Sequence, residues 1–107
     1  MDKMILPKDD KTRKTIRIKK CFLDYFPDAV VEVARLSWVA NEQHNPGTDP
    51  HWDRSKSRDE LDSLMNHLMD CGKMDTDGFL HDVKVAWRGM ANLQKRLEDI
   101  EYDKRDI

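Results

Sequence analysis

Residues 77–101 read DGFLHDVKVAWRGMANLQKRLEDIE, and the spacing of their apolar side chains decides the fold class. Leu80, Val83, Trp87, Met90, Leu93, Leu97 and Ile100 recur every three or four positions, the period of a helix with one buried stripe. A helix is therefore expected after Asp75-Thr76-Asp77-Gly78, running to about Glu101 as the longest element of the chain. Asp77, His81, Lys84 and Arg88 share a polar stripe beside the apolar one, because steps of four, three and four stay close to the 3.6-residue turn.

Two further helices are written upstream. Pro27 and Asp28 suit a helix start, and in Ala29 to His44 the residues Val30, Val33, Ala34 and Ser37 repeat at helical spacing, widened by Leu36, Trp38 and Val39. That breadth predicts a largely buried helix, stopped by Asn45-Pro46-Gly47. Residues 45–56 form a long loop carrying His51 and Trp52, and loops of this length in small domains are commonly functional. Ser57-Arg58-Asp59-Glu60 reads as a capping box, with Leu61, Leu64, Met65 and Leu68 as the stripe that follows and Cys71-Gly72 as the stop.

The fold expected is all-α: a small bundle of three main helices, completed by self-association because little else covers the outer side of Trp87 and Leu97. Three parts follow, a basic N-terminal arm over 1–22, a helical domain over 23–101 and a charged tail over 102–107. The 107 residues suit one domain, with 19 Lys plus Arg against 21 Asp plus Glu and a formal charge of −2. That balance hides an asymmetry, since residues 1–20 hold eight basic side chains against three acidic ones and the body is acidic. Such an arm could contact nucleic acid phosphates, but it has no aromatic residue for base stacking, so a solvated tail is the favoured reading. Within it, Thr15-Ile16-Arg17-Ile18-Lys19 alternates like a short strand, but one such strand has no obvious partner.

No stretch approaches the roughly 20 apolar residues of a membrane span, and Met1 to Pro7 lacks a signal-peptide core, so a cytoplasmic protein with no membrane partner is expected. Cys21 and Cys71 belong to no C-x-x-C motif; idle thiols are favoured over a disulfide. Glycine-rich phosphate loops, G-x-S-x-G and H-E-x-x-H are all missing, which disfavours nucleophilic catalysis and leaves metal-assisted hydrolysis.

Several polar residues suit that chemistry. Asp59 and Asp62, three apart, can reach toward one hard cation, or simply favour the helix dipole. His81 with Asp77 four residues before it fits a metal ligand, an oriented proton-transfer histidine or a surface ion pair. His67 flanks the core stripe, where one hydrogen bond at a helix interface is the plainer role. Glu32 lies among Ala29, Leu36 and Val39 and must be solvated, paired or metal-bound, with Arg35 three residues on.

Taken as an ordered series, Ala40-Asn41-Glu42-Gln43-His44-Asn45-Pro46-Gly47, His51-Trp52, Lys56-Ser57, Asp59 to Asp62, Asn66-His67-Leu68, Asp75-Thr76-Asp77-Gly78, His81 and Ala86-Trp87-Arg88 resemble a small phage family, the dATP/dGTP diphosphohydrolase N-terminal domain. The likeness spans about residues 26–97. That family is similar in turn to the all-helical MazG-like nucleotide pyrophosphohydrolases, which cleave a nucleoside triphosphate to the monophosphate and pyrophosphate with a divalent metal on helix carboxylates, usually as oligomers. Those enzymes carry E-E-x-x-E on one helix and E-x-x-D on the next. Here the first helix offers only Glu32, with Arg35 where a second acid falls, the second offers Asp59-x-x-Asp62 or His67 with Asp70, and Lys73 replaces a glutamate of the relatives.

The resemblance implies a metal-dependent hydrolase acting on a purine deoxynucleoside triphosphate in a phage-infected host cell. Glu32, Asp59, Asp62 and Asp77 would hold magnesium or manganese, and His67 and His81 would orient water or phosphate. Lys56 and Arg88 would neutralise the triphosphate, and Trp52 or His44 would stack on the base, with Asn41 beside them. The competing expectation is a helical phage module that engages a host protein or nucleic acid without chemistry.

Overall fold

Pro27 has no amide hydrogen to leave unsatisfied, and its fixed φ suits the first turn of the helix that it opens. A computed structural model describes residues 6–55 and 59–100. Its helices are α1 (Asp10–Arg13), α2 (Pro27–His44), α3 (Glu60–Met69) and α4 (His81–Glu98). A five-residue π turn, Lys19–Leu23, separates α1 from α2. The architecture is all-α, with one isolated antiparallel bridge between Met74 and Leu80. None of the described helices is long and apolar enough to cross a membrane.

The basic arm departs from its strand-like pattern. Asp9 caps α1 by accepting from Thr12 N at 2.9 Å and Thr12 Oγ1 at 2.7 Å, and the chain then turns into the π segment. Alternation over five residues gives no ladder without a partner strand, and local i→i+3 to i→i+5 bonds win. Cys21 and Cys71 are free thiols, both exposed.

Helix α4 is the centre of the packing, with α3 and α2 both docked on it. Among the described residues the enclosed apolar side chains are few: Phe79, Val83 and Ala91. In α2 the buried residue is Asn41, while Val31 and Trp38 are more than half exposed, so the helix is less enclosed than its apolar breadth suggests. Polar ties supplement this thin core. Trp87 Nε1–H donates to Ser37 Oγ at 2.7 Å, joining α4 to α2. Arg54 in the long loop grips Glu98 of α4 through its Nε at 3.0 Å, and Trp52 meets Trp87 edge-on at 5.7 Å. The loop therefore covers Trp87, which sequence reasoning left for a second subunit.

The start of α3 also differs from expectation. Ser57 lies outside the described residues, and the Glu60 carboxylate, 5% exposed, accepts from Lys95 Nζ at 2.9 Å and faces Arg88 at 3.5 Å. A helix-start acid that reads as a capping partner thus also clamps α3 to α4. The helix ends at Met69, two residues before the predicted stop, and Gly72 turns the chain at φ 86°. Residues 101–107, including the end of the expected third helix, lie outside the described residues.

Candidate functional site

Between α3 and α4 the chain makes a tight hairpin-like connection. Asp75 N–H donates to Phe79 O at 2.7 Å and His81 N–H to Lys73 O at 3.0 Å. Gly78, at φ 86°, makes the reversal that an L side chain resists. Phe79 plugs the hairpin into the core at 1% exposed, with the Arg35 guanidinium 4.1 Å above its ring. This plug fixes Asp75 and Asp77 on one side and the first turn of α4 on the other.

Lys84 Nζ sits between the two acids, 2.5 Å from Asp75 Oδ2 and 2.7 Å from Asp77 Oδ2. The Lys84 hydrogen bond, helped by the Thr76 N–H, holds the Asp75 carboxyl down at about 2. The same ammonium lowers Asp77. Burial acts to lower Lys84, but its two carboxylate partners outweigh that and raise it.

Beside this triad, His67 of α3 and His81 of α4 face each other with their Nδ1 atoms 2.8 Å apart. One ring must donate from Nδ1 and the other accept there, so the two imidazoles carry opposite Nδ1 protonation. His81 Nδ1 is also 3.7 Å from Asp75 Oδ2. Burial, then Lys84 and the neighbouring His81, lower His67 and favour its neutral form.

His67 also belongs to the wall of a cavity of about 710 Å³. Helix α2 lines it with Leu36, Ser37, Val39, Ala40, Asn41, Gln43 and His44, the long loop with Pro50, His51 and Trp52, and α4 with Lys84, Trp87 and Arg88. Asn41 is buried, its amide Nδ2 donating to Thr48 O at 3.1 Å and approaching Thr48 Oγ1 at 3.3 Å. Its Oδ1 has no partner among the described residues. A buried acceptor without a donor is costly, and this one lies at the cavity wall.

The structure thus gathers His67, Asp77, Asn41, His44, Trp52 and Arg88 from the expected set around one cavity, with His81 directly behind His67. The expected carboxylates do not converge. Glu32 spends both oxygens on the Arg35 guanidinium at 3.1 and 3.2 Å, which lowers its carboxyl, and is absent from the cavity wall. Asp59 and Asp62 border a separate surface depression with Arg54, Lys95 and Glu98. Asp77 pairs with Lys84 and accepts from Phe79 N–H at 3.2 Å. Because α4 begins only at His81, Asp77 precedes the helix and the i,i+4 geometry expected of the pair does not apply. Lys56 lies outside the described residues.

Sequence reasoning missed Asp75 and Lys84 as site residues. Lys84 is one turn beyond His81 on the polar stripe, and two acids flanking Thr76 in a glycine-closed turn were the available signal. Among the described residues, His67, Asp75 and His81 are the one group of three whose donor atoms lie close enough for a shared ion, all within 4.8 Å. Comparison with protein-family models, curated proteins and solved structures finds no match to this chain.

Proposed function

We propose that the cavity between α2, the long loop and α4 binds a purine nucleoside triphosphate and that the chain hydrolyses it to the monophosphate and pyrophosphate. One observation carries this reading: aromatic side chains, a phosphate-seeking guanidinium and a neutral histidine line the same cavity, at Trp52 and Trp87, Arg88 and His67. Aromatic faces take a base, and the planar guanidinium fork takes phosphate oxygens. The sequence resemblance to MazG-like pyrophosphohydrolases supports the same reaction. Asn41 stands in the cavity wall, where the base would lie against it. Magnesium or manganese enters on the triphosphate, since hard cations keep several waters and need few protein oxygens. His67 orients the attacking water, whose oxygen bonds to phosphorus as the bridging P–O bond breaks and pyrophosphate leaves. The water proton passes to solvent.

The placement of Glu32, Asp59 and Asp62 away from the cavity favours a second reading, a nucleotide-binding module without turnover. Self-association belongs to both readings and is supported by the exposure of Val31, Trp38, Leu61, Met65 and Met69 on α2 and α3. Light scattering of the purified chain checks it, and a monomer at all concentrations overturns it.

The decisive assay incubates the chain with dATP, dGTP, ATP or GTP and manganese, following pyrophosphate release and the quenching of tryptophan emission. Turnover lost in Arg88→Gln supports the hydrolase. Quenching without pyrophosphate supports the module, and neither signal with any nucleotide overturns the nucleotide reading.

A further inference from the structure

We infer that His67, Asp75 and His81 form a binding site for a zinc-class divalent ion, held through both Nδ1 atoms and one Asp75 oxygen. The donors come from three places in the fold: α3, the 70–80 connection and the first residue of α4. Their spacing is the first reason. Ligands about 2.0–2.1 Å from a tetrahedral ion stand about 3.3 Å from each other. The two separations at His81, 2.8 Å to His67 Nδ1 and 3.7 Å to Asp75 Oδ2, bracket that value. Shifts of about half an ångström in side-chain torsions bring both to it.

Donor chemistry selects the class of ion. Two imidazoles and one carboxylate suit zinc, cobalt or nickel, whereas magnesium and calcium prefer all-oxygen shells. The ion takes the place of the one proton now held between the two Nδ1 atoms, which moves to Nε2 of the same ring, so that both imidazoles bind as neutral ligands. All three side chains are half-buried, so part of their hydration is already lost.

The surroundings supply orientation. Thr76 N–H donates to Asp75 Oδ1 at 2.6 Å, fixing the carboxylate plane. Lys84 is the competitor for Asp75, and Asp77 is its alternative partner, already 2.7 Å from the ammonium. When Asp75 turns to the ion, Lys84 keeps Asp77. Three protein ligands leave a fourth position for water, the arrangement of catalytic rather than structural zinc. His67 places that position next to the cavity.

The site requires no nucleotide, so it stands or falls apart from the hydrolase reading. Its test is a titration of the chelator-treated full chain with zinc chloride by calorimetry and with cobalt chloride by visible absorption. One ion per chain is expected, with the His67 and His81 ring nitrogens shifting in nitrogen-detected NMR while those of His44 and His51 stay in place. His81→Ala and Asp75→Asn weaken zinc by about tenfold or more, while Lys84→Met, which removes the competing cation, tightens it. Unchanged helical circular dichroism separates loss of binding from loss of fold, and the NMR readout on the unsubstituted chain needs no variant. Shifts confined to His44 and His51, or zinc affinity equal in the His81→Ala and unsubstituted chains, overturn the assignment.

Discussion

Replacing Glu60 by alanine removes the carboxylate that joins the start of α3 to α4. Its side chain is 5% exposed and answers two cations, Lys95 at 25% and Arg88 at 29% exposed. Deleting one partner of a fully enclosed ion pair costs about 3–5 kcal/mol, mostly because the remaining charge is stranded. Here both cations retain some water, so about 2–3 kcal/mol is expected. For a domain of this length that lowers the thermal midpoint by roughly 10–20 °C.

Glu60 also stands at the positive end of α3, where an acid contributes about 0.3–1 kcal/mol through the helix dipole alone. A double-mutant cycle separates the two effects, because the dipole loss is common to Glu60→Ala and Glu60→Ala/Lys95→Ala and cancels from the coupling. Urea unfolding of the four proteins, followed by far-ultraviolet circular dichroism, should give a coupling of about 1–2 kcal/mol. A coupling under about 0.5 kcal/mol, the level of an exposed surface pair, would refute the clamp.

Acid should unfold the chain through the 70–80 connection. Asp75, held at about 2 against an ordinary 3.8, and Asp77, also lowered, contribute stability present above the unfolded value and lost as pH falls through the folded one, so thermal midpoints should drop between about pH 4 and pH 2. Lys84→Met should flatten that slope, and an unchanged slope would remove Lys84 as the cause. Gly78→Ala, at φ 86°, should cost about 1–2 kcal/mol in urea unfolding because an L side chain is strained there, and an unaltered midpoint contradicts the turn geometry. Ser37→Ala leaves Trp87 Nε1–H without its 2.7 Å acceptor, so a loss of about 1 kcal/mol and a shifted tryptophan emission are expected; neither change would dissociate α2 from α4 in this reading.

The three long helices were legible because their apolar residues repeat at the helical period and the breakers Pro46, Gly47 and Gly72 stand at or near their ends. The same local logic found a strand pattern in Thr15 to Lys19 but no partner for it, and the segment winds into local turns. It also assigned Glu60 to its nearest neighbours in sequence, although Lys95 lies 35 residues away and becomes adjacent only when α3 docks on α4. The site was legible as a list of residue types and not as an arrangement. Periodicity places Glu32, Asp59 and Asp62 on helix edges, but which edges meet depends on the crossing of the helices, and α2 has apolar residues on enough sides to leave its rotation open. Asp75 rather than Asp77 reaches His81 because Gly78 and the Phe79 plug set the register of the turn, which no helical wheel describes.

Charge around the histidine pair links the two proposals. Asp75 and Asp77 share one Lys84 ammonium, so that group is net negative, while the Arg88 guanidinium already faces Glu60. A triphosphate approaching this wall meets no surplus of positive charge, and like charges a few ångströms apart are costly in a partly desolvated cleft. A divalent ion between His67, Asp75 and His81 would reverse the sign: the shared proton moves to Nε2 of its own ring, both imidazoles stay neutral, and the cluster goes from one net negative to one net positive charge. Under the two proposals ion binding would precede phosphate binding, with Asp75 and Asp77, rather than Glu32, Asp59 or Asp62, as the counter-charges that draw the cation in.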